Sequence, residues 1–244
     1  MSRALVVVGH GSHFSAASSA PVHAAVRSIR ARGGFDEVRP AFWKEEPALS
    51  RAFDGLQSDD ITIVPFFISS GYFTSEVIPR EMRLDGRITL VSGRTIRYTE
   101  PIGAHPGLAN VILQRAREAG ASDSDALAVL GHGTPRNPDS ERNVYLQAER
   151  VAAMNAFPEV ATIFLDQEPN MRDVFQLVKS ESVVVVPLFV ADGWHVGETI
   201  PEDLALDGAE TRREGRRLVY AGAAGTHPMV ADVILELAEE AARW

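Results

Sequence analysis

There is no cysteine anywhere in the 244 residues of this chain. That absence excludes disulfides, thiolate metal sites, iron–sulfur clusters and cysteine nucleophiles within it. Any metal must then be held by imidazole and carboxylate. Also missing is an apolar run near the ~20 residues of a membrane-spanning helix. Basic charge is short: 24 Lys and Arg against 33 Asp and Glu leave a net charge of −9. This argues against nucleic acid as a partner, while an anionic small molecule stays compatible because local arginine clusters override a total. The opening Met1-Ser2-Arg3-Ala4 runs directly into an apolar stretch, leaving no room for a signal peptide. The expectation is a cytoplasmic protein with no membrane partner.

What is present is a globular composition, 45% hydrophobic and 23% charged, and one stretch that occurs twice. Leu5-Val6-Val7-Val8-Gly9-His10-Gly11-Ser12 recurs as Leu127-Ala128-Val129-Leu130-Gly131-His132-Gly133-Thr134. An apolar run closing in Gly-His-Gly, ahead of a helical pattern, reads as a buried strand that delivers an imidazole to its C-terminal end. In open α/β sheets that edge is where ligands bind.

Strand and helix patterns alternate through each half. In the first, strands are predicted at Ala4–Val8, Glu37–Phe42, Ile61–Phe67 and Ile88–Val91. Helices are predicted at Ala16–Arg32, Glu46–Leu56, Thr74–Met82 and His105–Ala119. The second half repeats the first at one offset. Gly9 and Gly131, Glu46 and Glu168, Pro65 and Pro187, Pro79 and Pro201, and His105 and His227 all lie 122 positions apart. A single register held through every element is an internal duplication. The fold class is therefore α/β: two similar flavodoxin-like domains, each a four-stranded parallel sheet with helices on both faces. The boundary falls in Gly-Ala-Ser-Asp-Ser-Asp at 120–125, giving domains 1–121 and 122–244.

Three strand-end positions carry the chemistry. In the second half they are His132, Glu168 with Asp166 beside it, and His195; in the first they are His10, Glu46 with Glu45, and Phe73. Neighbouring strands lie about 4.8 Å apart, so side chains at their ends converge. Two imidazoles and a carboxylate suit Co²⁺, Ni²⁺, Fe²⁺ or Zn²⁺ and leave coordination positions open. The first half lacks this set, because Gly71-Tyr72-Phe73 stands where Gly193-Trp194-His195 stands later. Bland readings compete with this one. Glu168 before Pro169 also suits the first turn of a helix, and His195 also suits packing beside Trp194. His105 and His227, each before proline, read as structural, and His13 and His23 as solvated. Arg80, Arg83, Arg87, Arg94 and Arg97, with Arg212, Arg213, Arg216 and Arg217 in the matching place, form groups able to pair with a polycarboxylate. A serine hydrolase built on Ser12 is disfavoured, since Gly-His-Gly-Ser is not a nucleophile elbow and the repeat has Thr134 there.

The Gly-His-Gly-Ser/Thr strand ends, the Phe-x-x-x-Glu-Pro around Glu46 and Glu168, and Pro-Leu-Phe-x-x-x-Gly-x-His-x-x-x-x-Ile-Pro ending at Pro201 resemble the CbiX-type sirohydrochlorin cobaltochelatases, a branch of the class II chelatases. The resemblance covers the whole chain twice, like a long form with two fused domains, and implies a monomer. It implies a lyase that inserts Co²⁺ into sirohydrochlorin for cobalamin biosynthesis, with Fe²⁺ or Ni²⁺ as alternatives and a non-catalytic metal or tetrapyrrole carrier as a rival. The divalent metal is a substrate, and no organic cofactor is implied. By position the family histidines fall on His132 and His195, and the carboxylate on Asp166 or Glu168. His10 is kept as a further proton acceptor or metal-delivery group. Tyr72, Phe73 and Trp194, with Ser12 and Thr134, fall where the macrocycle would be lined.

Overall fold

The computed structural model describes residues 2–134, 139–213 and 215–244. The first half builds a sheet from β1 (Arg3–Gly9), β2 (Glu37–Phe42), β3 (Asp60–Pro65), β4 (Ile88–Val91) and β5 (Arg94–Tyr98), in the order β2-β1-β3-β5-β4. The second half builds β6 (Ala126–Gly131), β7 (Val160–Phe164), β8 (Ser182–Pro187), β9 (Glu210–Arg213) and β10 (Arg216–Tyr220), in the order β7-β6-β8-β10-β9. The duplicated α/β architecture is as expected, but each sheet has five strands rather than four. The extra strand in the first sheet is β5, which pairs parallel with β3, while β4 runs antiparallel along its outer side. The turn between them is Ser92-Gly93, with φ of 51° and 80°. Two successive positive φ values are those of a tight hairpin turn. The sequence contained that signal in Ser-Gly between two apolar-polar runs.

β1 is central and buried on both faces, which is why it reads as an uninterrupted apolar run. Ala4, Val6 and Val8 share a core with Leu49, Leu56, Ile78 and Met82. Leu5 and Val7 point the other way, toward the layer formed by α1 (Ala20–Arg32), which packs on β1 and β2. Burying each such side chain contributes about 1.5–3 kcal/mol. The helix expected over 46–56 is instead a 3₁₀ turn at Leu49–Arg51 followed by turns to Gly55 at φ 70°. The Glu46 carboxylate accepts from the Ala48 amide at 3.0 Å, closing a turn where a helix would begin. Short helices α2 (Ile78–Met82), α5 (Val174–Leu177) and α6 (Ile200–Asp203) complete one layer of each sheet.

The closing helices do not pack within their own repeats. The chain divides into two compact units, Met1–His105 with Pro228–Trp244, and Pro106–His227. Thus α3 (Gly107–Glu118) packs on β8 and on α4 (Asp139–Ala153). Reciprocally, α7 (Val230–Ala241) packs on β3 and α1. The duplication boundary expected at 121/122 and the packing boundaries at 105/106 and 227/228 are therefore different things. The two His-Pro pairs mark the packing boundaries. Buried His105 faces Glu240 (3.4 Å) and Glu236 (3.7 Å) on α7, and buried His227 faces Glu118 (3.2 Å) on α3. Among the described residues no helix is long and apolar enough to cross a membrane.

Two outcomes test this packing. A β-carbon on Gly103 would lie 1.8 Å from the Ile68 carbonyl oxygen, so Gly103→Ala should cost about 1–3 kcal/mol or more in urea unfolding. The hydrogen bond from His227 holds the Glu118 carboxyl below its usual range. Such a group stabilises above the ordinary carboxylate value of about 4.3 and stops doing so as pH falls through its lowered value. Glu118→Gln should lower the melting temperature at pH 6, with the difference closing below about pH 4.

Candidate functional site

The Gly-His-Gly ends of β1 and β6 are gripped from both sides. A β-carbon on Gly131 would meet Val144 at 2.6 Å and Phe164 at 3.1 Å, and one on Gly9 would meet Val22 at 2.9 Å and Phe42 at 3.2 Å. The ladder runs past each pair of strands: Asp166 N donates to His132 O at 3.0 Å, and Lys44 N to His10 O at 2.8 Å. That extension seats Asp166 beside one histidine and Lys44 beside the other.

In the second unit His132 Nδ1 lies 2.8 Å from Gly133 O and 3.4 Å from Asp166 Oδ2. Both neighbours are acceptors, so the proton is assigned to Nδ1 and the lone pair to Nε2. The rings of His132 and His195 meet edge to face with centroids 4.9 Å apart. The structure brings the two imidazoles and Asp166 together, all three exposed to solvent. They form a row rather than a closed cage, and among the described residues no group of three or more His, Asp or Glu is arranged to enclose a metal ion. Phe189 lies against His132 at 6.0 Å.

Glu168 is elsewhere. Its Oε2 accepts from the Asn170 amide at 2.9 Å, repeating what Glu46 does in the first unit. The neighbouring Gln167 turns inward, and its Oε1 accepts from Thr134 N at 2.8 Å. Its Nε2 donates to Glu141. In the first unit Glu45 takes that role, within 3.5 Å of Ser12 N and accepting from Ser19 Oγ at 3.0 Å. The Ser12 hydroxyl accepts from the amides of Phe14 (3.1 Å) and Ser15 (3.2 Å), so it is held by its own turn.

His195 is the first residue of a π-helical turn, His195–Thr199, as Phe73 is of Phe73–Val77. Such turns recur at functional sites because they shift side chains off the helical register. A half-buried phenol fixes each one: Tyr220 Oη donates to Val196 O at 2.9 Å, and Tyr98 Oη to Thr74 O at 2.8 Å. Burial pushes both phenols well above their ordinary range, so they stay protonated donors. Neither tyrosine was expected from the sequence, although the 122-residue offset pairs them. Trp194, 74% exposed, and Tyr72, 57% exposed, precede the two turns.

The first unit keeps the frame and replaces the chemistry. His10 sits among Phe73 (4.9 Å) and Trp43 (5.3 Å), while Phe67 stacks on Phe73 at 6.1 Å. The Lys44 ammonium lies 3.6 Å from the Trp43 ring centre, a cation–π contact. A cation and an aromatic therefore stand where Asp166 and His195 stand in the second unit. His23, expected to be solvated, packs against Phe42 and lies 3.6 Å from Glu45.

Four of the arginines expected to pair with a polycarboxylate are occupied within their own unit. Arg94 and Arg216 start β5 and β10, at the sheet edge opposite the histidines. Arg94 donates to Leu56 O at 2.6 Å, and Arg216 to the carbonyls of Phe175 (2.7 Å) and Val178 (2.9 Å). Arg97 pairs with Asp60, and Arg217 with Glu210 at 2.9 Å. Sequence proximity to the third strand did not reveal which end of the sheet they would reach.

The CbiX family model matches residues 4–119 and again 126–241. A Halobacterium salinarum protein named a probable sirohydrochlorin cobaltochelatase is 42% identical, over 98% of this chain and 91% of that protein. The sirohydrochlorin ferrochelatase of Bacillus subtilis is 25% identical, over 99% and 93%. Among solved structures, a multi-domain Deinococcus radiodurans protein similar to chelatases superposes with a TM-score of 0.87 at 31% identity, covering 98% of this chain and 55% of that one.

A cobalt titration separates the two carboxylates. Asp166→Asn should weaken Co²⁺ binding at least about tenfold, as losing a partner of a ligating histidine does. Glu168→Ala should leave the affinity unchanged and cost about 1 kcal/mol of stability.

Proposed function

The chain belongs to the CbiX family, and on that premise we propose that it inserts a divalent metal ion into sirohydrochlorin, with Co²⁺ as the metal. The observation that carries the reading is the His132–His195 pair, 4.9 Å between ring centres with Asp166 behind His132. Two relatives matched over nearly their whole length carry sirohydrochlorin chelatase names, one for cobalt and one for iron. The higher identity is with the cobalt-named relative, and this favours cobalt.

Metal insertion exchanges two pyrrolic N–H protons for one M²⁺, so a site must hold the ion loosely and accept protons. His132 Nε2 and the His195 ring are the basic groups within reach of one another. Gly133 O and Asp166 Oδ2 on the far side of the His132 ring fix its tautomer, so Nε2 is available to the ion or to a departing proton. When that nitrogen takes a proton, Asp166 stabilises the imidazolium. Few protein ligands on an exposed edge leave coordination sites open and bonds labile, as suits a metal that must leave for the macrocycle. Tyr220 keeps the π turn of His195 in place through the Val196 carbonyl. In the first unit, Lys44 beside His10 disfavours a second cation, and Trp43 and Phe73 offer ring faces suited to a conjugated macrocycle.

The test is insertion followed spectrophotometrically with Co²⁺, Fe²⁺ and Ni²⁺ offered singly and in competition. His195→Ala should reduce Co²⁺ insertion at least about a hundredfold while circular dichroism stays native. Wild-type turnover in that variant would remove His195 from the mechanism. Preferential Fe²⁺ insertion by the unaltered protein would make it a ferrochelatase.

A further inference from the structure

The duplication supplies an internal control for every surface feature, and one feature fails it sharply. Along edge strand β2, between α1 and the 3₁₀ turn at 49–51, the first unit has an open concavity of about 580 Å³ lined by Arg27, Arg30, Arg39 and Arg51, with His23 at one end. Among the described residues, no acidic side chain lines it. The positions 122 residues on are Glu149, Ala152, Ala161 and Asp173, with Tyr145 in place of His23. Four positive charges in one unit are thus two negative charges and two methyl groups in the other. The same α/β frame forms in both, so folding does not require the arginines.

The guanidinium groups are also held apart from one another by anchors that leave donors free. Arg30 Nε donates to Val38 O at 2.7 Å. Arg39 is braced by Asp54 O at 2.8 Å and Glu37 at 3.1 Å. Arg51 reaches Asp54 at 3.3 Å, between exposed side chains where such a pair is weak. Arg27 is exposed and has no polar partner among the described residues. Glu37 gives its Oε1 to the amides of Gln57 (2.8 Å) and Ser58 (2.9 Å) and its Oε2 to Arg39, so it offsets that one guanidinium and none of the other three. The Arg39–Glu37 and Arg51–Asp54 pairs offset part of the mutual repulsion of the four like charges, but among the described residues no carboxylate pairs with Arg27 or Arg30. A multiply charged anion offsets the rest, because guanidinium forks grip carboxylate or phosphate oxygens in pairs. The volume lies within the roughly 300–1,000 Å³ usual for small-molecule sites.

We propose that this groove is a binding site for a small polyanion bearing two or more carboxylate or phosphate groups, separate from the histidine pair of the second unit. Its charge comes from side chains that diverged after duplication, and it exists in one unit alone.

The test uses the full chain and calorimetric titration with citrate and, separately, pyrophosphate at low ionic strength. One site per chain is expected, weakening as salt is raised. Arg27→Glu combined with Arg51→Asp installs the second unit's own residues and should weaken binding at least about tenfold. Arg27→Glu alone, at an exposed unpaired position, should weaken it several-fold with an unchanged melting temperature. Binding of citrate only would identify a carboxylate ligand, binding of pyrophosphate only a phosphate ligand, and binding of both a shared polyanion site. Binding of neither, or binding undiminished in both variants, overturns the proposal.

Discussion

The site depends on there being no room for a β-carbon on either side of His132. Gly131 touches Val144 of α4 and Phe164 of β7, and Gly133, at φ 71°, lies against the Gln167 side chain, whose Cγ a β-carbon would approach to 2.5 Å. Any other residue at either position pushes the strand end away from the helix and from β7. Held this closely, the chain turns with the imidazole outward and its Nδ1 on the Gly133 carbonyl. The same contacts surround His10. The glycines therefore set where the ring goes, and the residues around the ring decide what it does.

Those surroundings come from three extensions of the sheet. The β7 ladder continues two residues and places Asp166. The π turn after β8 places His195, and the phenol of Tyr220 on β10 holds that turn. Each is present in the first unit: Lys44 and Phe73 stand in for the first two side chains, and Tyr98 keeps the third. Duplication kept the backbone hydrogen bonds and the half-buried phenols, which carry folding energy. It released the exposed edge positions, which do not. Charge moved in the same way around β2, where arginines in one unit correspond in sequence to glutamate, alanine and aspartate in the other. Divergence is concentrated on surfaces that the fold leaves free.

Much of this was legible in the residues. The continuous apolar runs named the buried strands because a parallel strand is covered on both faces. The constant offset revealed the duplication, and the second histidine in one half distinguished the halves. Other features were not legible. Glu168 and Asp166 are equally plausible carboxylates by spacing, and only the extended ladder beyond β7 separates them. The Arg94 and Arg216 groups sit beside the site in sequence, yet the hairpins carry them to the far edge of the sheet. The 46–56 segment has helical composition, but a side-chain-closed turn at Glu46 and a positive φ at Gly55 keep it short.

The sequence by itself determined the duplicated α/β plan and singled out the two histidines whose rings meet, because hydrophobic period and repeat register are local, one-dimensional properties. Tertiary structure alone decided which carboxylate stands beside His132, which phenol holds His195, and that α3 and α7 pack outside their own repeats. Each of those is a contact between residues dozens of positions apart, chosen by packing and hydrogen-bond geometry that no spacing encodes. It also brought Arg27, Arg30, Arg39 and Arg51 together, since a helix, an edge strand and a turn share one groove only once the chain has folded.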